Sequence, residues 1–320
     1  VTTRHQSPVA RFVRTLPPGL RRHRIITLLA RLVPGGPVAT FTYNGGAPIT
    51  ADLSDPAPRQ ALITGSFDPE YFSIARACLA PGGAVFDVGA NAGFSSFGLV
   101  HETDPRFGPS FHLFEADPAL CRTLRRSAEL YPEHRIAVVE GCVADAPGRS
   151  GFRRVPGHSG ASHRLPSEDR GADGGLSVPN VVLDRYVEQT GIDRVAFAKL
   201  DVEGSEPAAL RGFAGTVKAG RVGALYVEVS APNLSRYGTT PNELLELLEE
   251  LGCATFWCKT EDFDSGLAPT GRPVTTPGGR QLRLAPVREL PPDHQTDLLA
   301  IPRNGPLAHL PREIERLDPR

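Results

Sequence analysis

Nine residues, Val85-Phe86-Asp87-Val88-Gly89-Ala90-Asn91-Ala92-Gly93, constrain this chain more than any other stretch. An apolar strand ends in an acid and then turns through glycines into a helix. Gly89 and Gly93 let the backbone come close to a ligand. Asn91 takes a slot where a third glycine often sits, and asparagine is among the side chains that best tolerate a left-handed φ. The helix behind the turn offers free N–H groups at its N-terminus.

From residue 84 onward strands and helices alternate. Apolar runs predict strands over Ala84 to Val88, Phe111 to Glu115, Ile136 to Glu140, Val195 to Leu200, Ala224 to Val229, Ala254 to Cys258 and Leu298 to Pro302. Asp117-Pro118 offers an N-cap followed by proline at the first helical position, opening a helix through Leu130. A second helix is expected near Leu183 to Thr190. Thr240-Pro241-Asn242-Glu243 reads as a capping box before leucines at helical spacing. Such alternation implies an α/β protein with a mostly parallel sheet covered on both faces. Ligands then bind beyond the carboxyl ends of the strands. Residues 146–180, rich in Gly, Ser, Arg and Pro, read as an insertion or lid, with a short hairpin around Phe152 to Val155.

The first 60 residues differ. Seven arginines and no acid precede Asp52. Leu20 to Val33 reads as a short basic helix, either packed on the main domain with a solvated arginine face or serving as a membrane-surface or docking arm. Asn44-Gly45-Gly46 between Ala39 to Tyr43 and Ile49 to Leu53 signals a hairpin. The expected organisation is an extension over 1–60, a main domain over 61–303 with the lid at 146–180, and a tail or terminal helix over 304–320.

Several classes are excluded. No apolar run approaches the roughly 20 residues that span a bilayer. A net charge of −1 gives no global attraction to nucleic acid. The five cysteines form no C-x-x-C pair, and no secretory signal is visible, which reads as reduced thiols in a cytoplasmic protein.

The glycine turn serves two cofactor classes. Dinucleotides need G-x-G-x-x-G so that pyrophosphate can sit on the helix N-terminus. Here the spacing is G-x-x-x-G, and Asp87 would repel a pyrophosphate. S-adenosylmethionine carries no phosphate but has a ribose diol, an amino-acid head and a sulfonium, which an acid suits. Glu115, ending the second strand, is placed to accept both ribose hydroxyls. The fourth strand ends in Asp201, Glu203 and Glu206. Asp201 is the best placed to face cofactor or acceptor. Asp201 and Glu203 share a strand face by period 2. No further ligand spacing accompanies that pair, so no metal site is assigned.

Taken together, these motifs resemble the FkbM family of S-adenosylmethionine-dependent methyltransferases. The matching residues are Val85 to Gly93, Phe114 to Pro118, Val143-Ala144-Asp145 followed by Gly148, and Val182 to Asp184. They continue through Ala198 to Glu206, Leu210 to Phe213, Tyr226 to Val229 and Thr296 to Ala300. The likeness covers roughly residues 60–303. It implies a Rossmann-like class I methyltransferase fold, a seven-stranded, mostly parallel sheet whose last strand is antiparallel. It also implies O-methylation of a small-molecule hydroxyl, on a sugar or polyketide-type natural product. Asp87, Gly89, Asn91 and Gly93 would line the cofactor turn, Glu115 would hold the ribose, and Cys142 to Asp145, Val143 among them, would flank the adenine. Asp201 and Glu203 would sit by the methyl group.

An alcohol acceptor must lose its proton. His158 and His163 in the insertion, and Asp201, are the candidate bases, with histidine favoured because it titrates near neutrality. Both histidines equally suit mobile surface positions. Rival readings are a cofactor-binding module without turnover, an NAD(P)-dependent oxidoreductase, and a nucleic-acid methylase helped by the arginine-rich arm. The oligomeric state is left open.

Overall fold

The computed structural model describes residues 38–79, 82–106, 108–166, 175–268, 271–276 and 279–317. The basic helix expected over Leu20 to Val33 lies outside the described residues.

The hairpin comes first. Asn44, Gly45 and Gly46 all take positive φ (40°, 80° and 123°) and turn β1 (Ala39–Tyr43) into β2 (Ala47–Ala51). Two unpredicted helices follow, α1 (Pro56–Thr64) and α2 (Pro69–Cys78). Each opens on an Asp-Pro pair: Asp55 accepts from the Ala57 N–H and Asp68 from the Tyr71 N–H. Proline at the first turn loses nothing, because that N–H has no helical partner. The same device starts the helix at Asp117-Pro118.

The main sheet then builds through β3 (Ala84–Val88), α3 (Phe94–Glu102), β4 (Ser110–Glu115), α4 (Pro118–Ala128) and β5 (Ile136–Glu140). A separate four-stranded sheet interrupts it. Its strands are β6 (Cys142–Val143), β7 (Arg149–Arg153), β8 (His163–Arg164) and β9 (Leu176–Val181), in the order β6-β9-β7-β8. The chain returns through α5 (Leu183–Thr190), β10 (Val195–Leu200), α6 (Glu206–Arg211), α7 (Ala214–Lys218), β11 (Val222–Ser230) and α8 (Ala231–Ser235). It ends with α9 (Pro241–Glu250), β12 (Cys253–Trp257), α10 (Thr260–Asp264), β13 (Arg272–Thr275), β14 (Gln281–Pro286), β15 (Gln295–Pro302) and α11 (His309–Leu317).

The sheet runs β13-β14-β12-β15-β11-β10-β3-β4-β5. Ladders from β5 to β11 are parallel, and β15 inserts antiparallel between β11 and β12. Seven of these strands form the expected sheet with one antiparallel strand. Among the described residues the sheet is nine strands wide, because the segment between the two last predicted strands, for which no strand was predicted, folds into the β13–β14 hairpin, whose Leu282 and Leu284 turn inward. Only Phe256 and Trp257 of β12 pair with it.

Period-2 alternation sends residues to two cores. Val85, Phe197 and Tyr226 face one side with the hairpin, α2, α3 and α4. Phe86, Ala198, Leu200 and Val227 face the other with α5, α6 and α9. The hairpin is fastened to α4 by Ser127 Oγ, which accepts from the Thr50 N–H and donates to the Thr50 carbonyl. Among the described residues, no helix is long and apolar enough to cross a membrane. The central strands β4, β3, β10 and β11 all present their carboxyl ends to one edge, and the cavity lies there.

Candidate active site

The turn after β3 is held by its neighbour strand. The N–H groups of Gly89 and Ala90 both donate to the Phe114 carbonyl, 3.0 Å away. Gly89 has φ +86°, and a Cβ there would stand 1.8 Å from the Asp201 carbonyl oxygen. Only glycine permits that approach of β3 to the end of β10. Asn91 takes φ +51°, the left-handed value its sequence position suggests. Its N–H donates to Glu115 Oε2 at 2.7 Å, while the Asp117 N–H donates to Oε1 at 2.8 Å.

Glu115 therefore shapes the turn as well as the cavity wall. Burial pushes its carboxyl up to about 7, against the pull of the Asp117 and Asn91 N–H groups. Each oxygen has used one acceptor position and keeps another. A vicinal diol, which brings two O–H donors, fits that remaining capacity.

A cavity of about 210 Å³ opens beside Glu115. Ala116, Leu120, Cys142, Val143 and Phe152 make one wall apolar; Lys199, Asp201, Glu203 and Glu228 make the other polar. A ligand with a flat apolar part, a diol and a cationic part matches this division. S-adenosylmethionine has that composition. Among the described residues, no group of three or more His, Cys, Asp or Glu is arranged to hold a metal ion.

The polar wall is organised by Lys199. Its Nζ lies 2.6 Å from Asp201 Oδ2. It also pairs across the ladder with Asp87. Burial alone would lower the Lys199 pKa, but the Asp201 and Asp87 carboxylates outweigh it and raise it. The ammonium stays charged. Asp201 and Glu203 do not share a strand face, because β10 ends at Leu200 and Glu203 sits in a turn with φ +55°. Glu206 Oε1 fixes that turn by accepting from the Val202 and Gly204 N–H groups.

Sequence-predicted residues thus divide. Gly89, Asn91, Glu115, Val143, Asp201 and His163 line the cavity. Gly93 lies at the base of α3 with φ +88°, packed against Phe97 and Leu124 rather than the cavity. Asp87 lies behind the turn, only 1% exposed, with Oδ2 accepting from Ser96 Oγ at 2.7 Å. Its Oδ1 has no partner among the described residues. It acts on the site through Lys199 and α3. His158 is exposed and outside the cavity.

Other cavity residues were not anticipated. Lys199 stands two positions before Asp201, and period 2 was the signal that would have paired them. Glu228 lies near the carboxyl end of β11 and required the sheet order. Ser159 comes from the insertion, donates through Oγ to Asn91 Oδ1 at 2.7 Å and through its N–H to Asp55 Oδ2 at 2.6 Å. It ties insertion, cofactor turn and α1 together, a long-range contact that no local pattern carries.

Residues 87–253, just over half of the chain, match the Methyltransferase FkbM domain. A search of curated proteins returns no match. Among solved structures, the chain is similar to the methyltransferase FkbM from Methylobacillus flagellatus KT, with 20% identity and a TM-score of 0.38. That similarity covers 70% of this chain and 44% of the other, so this chain spans less than half the Methylobacillus protein. It is also similar to the precorrin-6y C5,15-methyltransferase from Geobacter metallireducens GS-15, with 12% identity, a TM-score of 0.36, and 73% and 87% of the two chains covered. A TehB-like SAM-dependent methyltransferase from Corynebacterium glutamicum gives 14% identity, a TM-score of 0.36, and 73% and 95% covered.

Proposed function

The chain belongs to the FkbM methyltransferase family, and from that premise we propose that it transfers the methyl group of S-adenosylmethionine to a hydroxyl oxygen of a small acceptor. A sugar or polyketide-type natural product is the acceptor class. The observation that carries this reading is the buried Glu115 carboxylate, with acceptor capacity to spare, beside a glycine turn and a cavity with one apolar and one carboxylate wall.

Glu115 would hold the ribose diol, the Gly89–Asn91 backbone would lie along the cofactor, and Cys142 and Val143 would flank the adenine. Asp201, paired with the Lys199 ammonium, would face the cationic end. When bound, S-adenosylmethionine supplies an electrophilic methyl group. The chain supplies orientation: most of the acceleration comes from fixing the reactants in line, an effect worth roughly 7–11 kcal/mol at best. Of the three candidate bases, Asp201 and His163 line the cavity.

The test is release of S-adenosylhomocysteine from S-adenosylmethionine across a panel of sugars and polyketide alcohols. Release that depends on one acceptor class supports the reading. Tight cofactor binding without release under any acceptor would favour a binding module that does not turn over.

A further inference from the structure

Two carboxylates other than Glu203 stand in the polar wall. Asp201 Oδ2 is taken by the Lys199 ammonium. Glu228 sits beside Asp201, Glu206 and Glu203, and burial together with those neighbouring acids raises its carboxyl. His163 springs from the small sheet joined to the β5 side, and its Nδ1 faces the Ala161 carbonyl at 3.0 Å.

Glu203 differs from Asp201 in that a neutral amide, not an ammonium, holds it. It stands in the turn between β10 and α6, at positive φ. Asn233 Nδ2, at the middle of α8, donates to its Oε2 at 2.7 Å. Oε1 has no hydrogen bond among the described residues, and the residue lines the cavity. Gly204 presses the turn onto α8 so closely that a Cβ would stand 2.2 Å from the Asn233 carbonyl. The carboxylate is thus held by one oxygen on a braced turn and open at the other.

We propose that Glu203 takes the proton from the acceptor hydroxyl, and that Asn233 is the positioning residue that aims it. The proposal rests on the methyltransferase reading above. As the acceptor oxygen bonds to the methyl carbon, the carbon–sulfur bond breaks with its electron pair going to sulfur. The hydroxyl proton passes to Glu203 Oε1 and from there to solvent. Glu203 is suited to this. Burial and the neighbouring Asp201 raise it to about 7, while Arg236, Asn233 and Lys199 draw it down. A base poised near the working pH is the efficient kind. The other titratable groups around it are Glu206 and Glu228.

The experiment is an infrared pH titration of the full chain, taking wild type minus Glu203→Gln to isolate one carboxyl. It needs no acceptor. S-adenosylmethionine carries a positive sulfonium and S-adenosylhomocysteine a neutral thioether, and a cation within about 4–6 Å lowers a carboxyl by 1–3 units. The Glu203 midpoint is expected about one unit or more lower with the first ligand than with the second. Asn233→Ala, a second variant should Glu203→Gln fail to fold, is expected to raise the midpoint by removing a donor to the charged form, with both ligand affinities kept within about twofold. If calorimetry shows both ligands bound and the two midpoints coincide, Glu203 does not face the methyl group and the proposal fails alone. If neither ligand binds, the methyltransferase reading fails and the proposal with it.

Discussion

Lys199 balances the charges of the site, and Lys199→Met isolates that role. Its Nζ lies 2.6 Å from Asp201 Oδ2, and only 13% of its side chain is exposed. Asp87 faces it across the ladder, fully enclosed. Removing one partner of a buried pair costs roughly 3–5 kcal/mol. Asp201 is 33% exposed, so water recovers part of its share. The expected loss at pH 8 is about 2–3 kcal/mol. The pH dependence follows from Asp87. Burial raises its carboxyl in the wild type, while Lys199 and Ser96 hold it down. Without Lys199 it rises further. A group raised on folding contributes stability that is complete below its unfolded value, about 3.9, and is lost as pH climbs through the folded value. The variant's deficit should therefore be smaller at pH 5 than at pH 8, the direction set by the further rise of Asp87. Urea unfolding at both pH values measures it. A deficit that is the same at both, or below about 0.5 kcal/mol throughout, would refute the charge argument.

Gly89→Ala forces a left-handed alanine against the Asp201 carbonyl, and is expected to cost about 3 kcal/mol or more in urea unfolding. Gly148→Ala, at φ +131° with nothing within 4 Å, should cost only about 1–2 kcal/mol. Glu206 is raised to about 7, chiefly by burial, so its contribution is full below about 4.5 and lost by pH 8. The stability difference between Glu206→Gln and wild type should therefore move in the variant's favour by about 1–3 kcal/mol from pH 5 to pH 8; no movement would contradict the burial argument. His158→Ala, changing an exposed group, should leave cofactor affinity within about twofold and stability within about 0.5 kcal/mol. A tenfold loss of affinity would return His158 to the site.

Much of the fold was legible because its signals are local. The strands at 84–88 and 195–200 are apolar runs buried on both faces, that at 136–140 is an apolar run at the sheet edge, and β3 and its turn carry their φ requirement in Gly89 and Asn91. Helices α1 and α2 were not anticipated, and Pro56, Pro58 and Pro69 stand in their first turns. Yet Asp55-Pro56 and Asp68-Pro69 repeat the Asp117-Pro118 start that did identify α4. The β13–β14 hairpin was hidden by polar residues that face outward between inward leucines. At the site, Glu115 was visible from its place at a strand end. The partnership of Lys199 with Asp87 was not, since it exists only once β3 and β10 lie side by side. Asp87 ends an apolar strand just as a ligand-facing acid would, and only the pleat, which turns it toward α3, removes it from the cavity. Ser159, bonded to both Asp55 and Asn91, joins segments far apart in the chain and left no trace in any local pattern.

The central claim is the identity of the cofactor and the residue that holds it. Calorimetric titration with S-adenosylmethionine, S-adenosylhomocysteine and NAD(P)H, on wild type and on Glu115→Ala with both shown to be folded, tests it most directly. The account predicts micromolar binding of the first two, none of NAD(P)H, and at least a tenfold loss in the variant, about 1.4 kcal/mol. Binding of NAD(P)H in their place, or S-adenosylmethionine binding indifferent to Glu115, would contradict it.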